Sequence, residues 1–308
     1  MKVPVAMAGA VRRTPQTFAE VGGGIRLCYD TFGDEAAAPL VLIMGLGGQM
    51  IAWDDGFCAQ LAARGYRVIR FDNRDIGLST HLDDAGMPHL GSVMMATMQG
   101  RAVPAPYLLR DMASDTLGLL DHLGISRAHV VGASMGGAIA QMLAIEHPAR
   151  LRSLTAIMAS SGAPGLPQPT PAAMAVLMRP PAANEAAYIE SHARTWKVLR
   201  AGRFPEDEAL DRGRAERSWA RGLYPAGVAR QMVSIIASGS RKAALVGVTV
   251  PTLVIHGNAD PLIPLACGVD IADSVPGAKL VVIKGMGHAM PISMWPQILD
   301  AIAAHATD

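Results

Sequence analysis

Ser134 stands at the centre of Gly132-Ala133-Ser134-Met135-Gly136, a G-x-S-x-G pentapeptide. A serine hydroxyl is a weak nucleophile, and it attacks a carbonyl only when the backbone presents it and a neighbouring base takes its proton. The local pattern suits presentation. An apolar run from Ala128 to Val131 reads as a short buried strand, and from Ala138 onward the apolar positions recur at helical spacing. Ser134 therefore falls on a tight turn between strand and helix. Glycines two residues to either side let neighbouring backbone pass where a Cβ would clash. Such a turn lifts the hydroxyl clear of the sheet and sets it at a helix N-terminus, whose free N–H groups favour developing negative charge. A plain glycine-rich turn is the alternative. The coincidence of strand, turn and helix favours a nucleophile.

The elements around this turn alternate between strand and helix. Phe18 to Phe32 holds two short strand-like pieces around Gly22-Gly23-Gly24, a hairpin signal. Leu40 to Met44, apolar throughout, reads as a central parallel strand ending in Gly45-Leu46-Gly47-Gly48. Tyr66 to Phe71 is another buried strand, Leu109 to Leu123 an amphipathic helix, and Leu151 to Met158 the strand after the serine helix. Thr249 to Gly257 and Lys279 to Ile283 are the last strands, and a helix over Trp295 to His305 closes the chain. The pattern predicts an α/β fold, a mostly parallel sheet with helices on both faces. Between its halves the composition changes. Residues 161–181 are rich in proline and glycine and read as linker, and 182–240 read as helices with scattered aromatics. The expected organisation is an N-terminal arm over 1–17, a core of 18–160 and 241–308, and a helical cap inserted over 161–240.

Composition narrows the function classes. Half of the 308 residues are hydrophobic and 17% are charged, enough apolar material for one large core. A net charge of +1, with no Lys/Arg run longer than two, argues against a nucleic acid or an anionic membrane surface as partner. No apolar stretch is long enough to span a bilayer, and the first 13 residues lack the apolar core of a signal peptide. Cys28, Cys58 and Cys267 are odd in number and lack metal-ligand spacing, so buried free thiols and a reducing cytoplasm are expected.

With the serine turn and the strand order in view, the chain resembles an α/β-hydrolase over residues 18–305. In that family the triad runs Ser, then Asp or Glu, then His, each on a loop after a strand. The resemblance implies Asp260 as the acid, in Gly257-Asn258-Ala259-Asp260-Pro261-Leu262-Ile263-Pro264, and His288 as the base, in Gly285-Met286-Gly287-His288-Ala289. It implies an oxyanion hole from the backbone N–H groups of Met135 and Leu46. Two departures stand out. The early strand ends in Met44-Gly45 where many relatives have His-Gly, so the oxyanion loop must be supported differently. Asp75 also stands where relatives commonly have glycine in D-x-R-G-x-G-x-S. These features are similar to the bacterial esterases of the aclacinomycin-methylesterase group. The implied function is a serine carboxylesterase acting on small or hydrophobic esters through an acyl-enzyme, with no cofactor and no metal. A cofactor-free perhydrolase, a lactonase or a C–C hydrolase would use the same triad, and a receptor that does not turn over is a more distant reading. A homodimer formed through the cap would fit the pattern.

The remaining polar residues carry more modest expectations. Asp72 and Arg74 read as an ion pair pinning their turn, His256 as a packing histidine, and His147 and His192 as helix-end or surface residues. Asp54-Asp55 reads as a helix N-cap, and Asp111 and Asp115 as a solvated helix face. Trp196 and Trp219 are candidates for lining the pocket or for packing the cap on the core.

Overall fold

The computed structural model describes residues 11–201 and 208–307, so the expected N-terminal arm is described only from Val11. From there the chain is tied down: Arg13 bridges to Phe32 and its guanidinium holds Asp30 at 2.8 Å. The elements then run β1 (Thr17–Glu20), β2 (Arg26–Phe32), β3 (Ala38–Ile43), α1 (Asp55–Ala62), β4 (Tyr66–Phe71), α2 (Leu90–Met98) and α3 (Leu109–His122). β5 (Ala128–Ala133), α4 (Met135–Glu146) and β6 (Leu151–Ile157) follow. Between the sixth and seventh strands lie α5 (Pro171–Leu177), α6 (Glu185–Leu199), α7 (Glu208–Ala220), α8 (Pro225–Ser238) and α9 (Lys242–Leu245). β7 (Thr252–Gly257), α10 (Leu265–Ser274), β8 (Lys279–Ile283) and α11 (Trp295–His305) complete the chain.

The eight strands form one sheet in the order β1-β2-β4-β3-β5-β6-β7-β8. β2 pairs antiparallel with β1 and β4, and every later pairing is parallel. The α/β expectation holds. Alternation along the central strands explains why helices cover both faces. Val41 and Ile43 of β3 join one core with Leu109 and Met112 of α3 and Ile139 and Leu143 of α4. Leu40 and Leu42 face the other way, onto Phe57 and Leu61 of α1 and Ile298 and Ile302 of α11. A period of two sends successive side chains to opposite faces, and a strand buried on both reads as a continuous apolar run.

Two segments differ from expectation. The proline-rich stretch contains α5, because Thr170 caps it through Ala173 N–H and Pro171 occupies its first position. α2 was not foreseen: its apolar residues do not form one stripe, and Met94, Met95 and Met98 are exposed.

Candidate active site

The turn between β5 and α4 places Ser134 at φ +55° and ψ −119°, a conformation that non-glycine residues rarely adopt. Close packing enforces it. A Cβ on Gly132 would stand 2.1 Å from the Gly136 carbonyl oxygen, and one on Gly136 would stand 2.1 Å from that of Ile43. The Ser134 N–H donates to Ile157 O at 2.9 Å, so β6 pins the turn from the side. Met135 opens α4, and as the first helical residue its N–H has no intrahelical acceptor.

Asp260 and His288 reach this serine from the ends of β7 and β8. His288 Nδ1–H donates to Asp260 Oδ2 at 2.8 Å, which leaves Nε2 as the acceptor for the Ser134 hydroxyl at 3.0 Å. The other carboxylate oxygen of Asp260 accepts from the Leu262 and Ile263 N–H groups at 2.9 and 2.8 Å, which fixes its plane. Asp260 and His288 are both buried, whereas Ser134 is half-buried. The two loops are also bound to each other, through Gly285 N–H on Asn258 Oδ1 at 2.7 Å and Ala259 N–H on Met286 O at 3.1 Å. The structure thus brings together three residues separated by up to 154 positions.

The loop after β3 carries Leu46 and packs on the serine: a Cβ on Gly45 would lie 3.0 Å from Ser134 Cβ. The support that replaces the missing histidine comes from several directions. Asn73 Nδ2–H donates to Met44 O at 3.0 Å, and Asp72 accepts the Met50 N–H at 2.6 Å. Gln231 on α8 accepts the Gly47 N–H at 2.9 Å, and Arg221 just after α7 reaches Gln49 Oε1 at 2.9 Å. None of these partners was anticipated. The one signal for Gln231 is its position beside Arg230 as a polar pair within the apolar helix α8.

Asp72 and Arg74 do not pair with each other. Asp72, fully buried, takes Arg221 as its cation, and burial raises its pKa despite that cation and two backbone donors. Arg74 instead grips Asp115 at 2.6 Å, so Asp115 is a buried ion-pair partner rather than a solvated residue. Asp75 keeps the left-handed backbone expected of the glycine it replaces, with φ +70°. Its carboxylate is held by Arg230 through two hydrogen bonds of 2.7 and 2.8 Å and by the Tyr107 hydroxyl at 2.8 Å. Burial alone would raise the Asp75 pKa, but these donors outweigh it and lower it. Asp54 caps α1 as expected, through the Gly56 N–H.

His256 is a packing residue. Nε2–H donates to Ile263 O at 2.8 Å, and Gly268 packs so closely that a Cβ there would lie 2.3 Å from Nδ1. Burial lowers its pKa. His192 is not at a helix end; it lies half-buried within α6 and accepts the Trp196 indole N–H at 2.8 Å. Trp219 packs its ring on Tyr188 at 5.8 Å, so these aromatics bind α6 and α7 to each other. All three cysteines are free and buried, and burial raises the thiol pKa at each. Among the described residues no three His, Cys, Asp or Glu side chains converge as a metal site needs, and no helix is long and apolar enough to cross a membrane.

Fold and site geometry define a class, and the sequence agrees with it: residues 38–293 match the α/β-hydrolase fold family, and the chain belongs to that family. Within it, the chain is 32% identical to a rhodomycin D methylesterase of Streptomyces sp. (strain C5), over 91% of this chain and 95% of that one. It is 28% identical to a putative carbamate hydrolase of Variovorax paradoxus (strain S110), covering 87% of this chain and 91% of the relative. Among solved structures, a meta-cleavage product hydrolase from Pseudomonas fluorescens superposes with a TM-score of 0.74 at 21% identity, over 94% of this chain and 96% of that one. At that identity the likeness concerns the fold.

Proposed function

We propose that the protein is a serine carboxylesterase for small or hydrophobic carboxylic esters, working through an acyl-enzyme. The reading rests above all on one observation: a serine in a strained strand-to-helix turn, 3.0 Å from a histidine whose other nitrogen is held by a buried aspartate at 2.8 Å. Ser134 Oγ attacks the ester carbonyl carbon while His288 Nε2 takes its proton. The carbonyl oxygen becomes an oxyanion, held by the Met135 and Leu46 N–H groups. As the tetrahedral intermediate collapses, the bond to the alcohol oxygen breaks and His288 returns the proton to that oxygen. Water then loses a proton to His288 and attacks the acyl carbon. Acid leaves, and the proton goes back to Ser134. Asp260 keeps the imidazole in the tautomer that accepts from serine and stabilises it when charged.

Residues 161–240 would form the cap that shapes the pocket over the strand ends. The relation to rhodomycin D methylesterases supports a methyl ester as the scissile group. The three buried free thiols fit a reducing cytoplasm.

A p-nitrophenyl ester series from acetate to decanoate, run beside Ser134→Ala, tests the reading. Wild type should turn over, and the alanine variant should lose at least about a thousandfold in kcat. No turnover together with no labelling by a fluorophosphonate would overturn the assignment.

A further inference from the structure

We propose that Gln231 is a positioning residue for the oxyanion loop, placed there by the helices between β6 and β7; this rests on the esterase reading above. Gln231 lies on α8 with no exposed surface. Its amide adds a bridge between two loops that Asn73 and Asp72 also tie together at Met44 and Met50: Oε1 accepts the Gly47 N–H at 2.9 Å, and Nε2–H donates to Arg74 O at 2.9 Å. The orientation of the amide is fixed by its partners, since an N–H must meet the oxygen and a carbonyl must meet the nitrogen. Gly47 follows Leu46, the residue assigned to the oxyanion, and lies two residues from Gly45, which packs on Ser134. The bond therefore holds the Leu46–Gly47 peptide, the unit adjoining the one that carries the Leu46 N–H.

Three features single out Gln231 among the loop's supports. Gly47 has φ +67° and packs directly beneath Val228 of α8, where a Cβ would lie 3.2 Å from a valine methyl, so the glycine and the helix fit as a pair. α8 cannot drift, because Arg230, the preceding residue, is locked to Asp75 in a fully buried ion pair. Asp75 belongs to the same turn as Arg74, so Gln231 and Arg230 grip one segment with two side chains and relay its position to Gly47. Part of the support missing with the histidine at the end of β3 is thus supplied by a glutamine 184 residues from the glycine it holds.

Gln231→Leu retains the side-chain volume and removes both hydrogen bonds, leaving the Gly47 N–H and the Arg74 carbonyl unpaired. Gln231→Glu retains an acceptor for Gly47. Both are measured on p-nitrophenyl butyrate per active site, the sites being counted by complete fluorophosphonate labelling, with amide hydrogen exchange of the 44–50 segment read alongside. The leucine variant should lose about 10- to 100-fold in kcat with KM within about threefold, because a displaced donor is missed mainly in the transition state. Its 44–50 amides should exchange faster, and the glutamate variant should fall between leucine and wild type. A leucine variant within about twofold of the wild-type kcat overturns the proposal, and so does a lost kcat without faster exchange in that segment. Absent wild-type turnover would overturn the esterase reading and the catalytic part of this proposal together, and the wild-type rate alone tells these failures apart.

Discussion

Three histidines, two buried and one half-buried, show how the same side chain acquires different work from its partners. His288 has an acceptor on one nitrogen and a donor on the other, at 2.8 and 3.0 Å, which suits proton transfer. His256 has a carbonyl on one nitrogen, with Asp260 Oδ2 3.7 Å from that nitrogen, and a packed glycine against the other, which packs it behind the acid. His192 accepts the Trp196 N–H on Nε2, so protonation there would set two N–H groups against each other. Burial pushes its pKa down to about 4, against the attraction of Asp211 and with the help of Arg214 and Arg200. In the unfolded chain the imidazole titrates near its ordinary 6.5. Between those values the unfolded state binds the extra proton, so stability is full above about pH 6.5 and drains away as pH falls toward 4. His192→Gln keeps an acceptor for the indole and cannot be protonated. Urea unfolding at steps from pH 7 to 4.5 should show the variant gaining on wild type as the solution is acidified. A constant difference across that range would sink the argument.

At the scale of elements, the contact that sets the serine is the approach of α4 to the end of β3. A Cβ on Gly136 would meet Ile43 O at 2.1 Å, and backbone oxygen in a sheet cannot step aside. Gly136→Ala should therefore push α4 outward, lowering stability by about 1–3 kcal/mol as overpacked cores do and displacing the Met135 N–H. Gly247→Ala is the control, since its Cβ would meet nothing closer than 3.6 Å. Thermal melts and ester turnover of the pair check this; equal behaviour would show that the α4 contact is slack. What was legible in the sequence follows from the same physics. Local patterns revealed β3 and β5, because strands buried on both faces must be apolar throughout, and α11, because the last helix carries a clean stripe; β8 was legible from its apolar run Leu280 to Ile283, although it is an edge strand and partly exposed. The turn around Ser134 was legible because its pattern is contiguous in sequence, although Gly136 is compelled by Ile43 of β3 and only Gly132 by the turn itself. α5 hid behind Pro171, which starts a helix as readily as it breaks one. Asp115 with Arg74, Arg221 with Asp72 and Gln231 with Gly47 were illegible, because each pair is made by folding across 41 to 184 residues and leaves no periodic trace.

At the scale of the whole molecule, the helices between β6 and β7 do not form one uniform cover. α8 buries Gly227, Ala229, Arg230, Gln231, Val233 and Ser234, and its Ser238 hydroxyl accepts the Leu109 N–H at the start of α3 at 2.9 Å. By contrast, α5 buries Ala173 alone and α6 Leu199 alone among their described residues. Yet α6 also meets the site, because its Leu199 carbonyl accepts the His288 N–H at 2.7 Å and Gly287 leaves no room for a Cβ against that oxygen. Local opening free energies follow buried contacts and shielded hydrogen bonds, so the segment should open in order. In native-state hydrogen exchange of the intact protein, α8 amides should be protected to about the level of α4. Those of α5 and the first turns of α6 should exchange earlier, with the Leu199 end of α6 held back by its tie to His288. That order would let the α5–α6 side part for a substrate while Gln231 still holds the oxyanion loop. Were α8 instead to exchange together with α5 and α6, far ahead of α4, the loop would be released at every opening, and a firm α8 could not be what positions it.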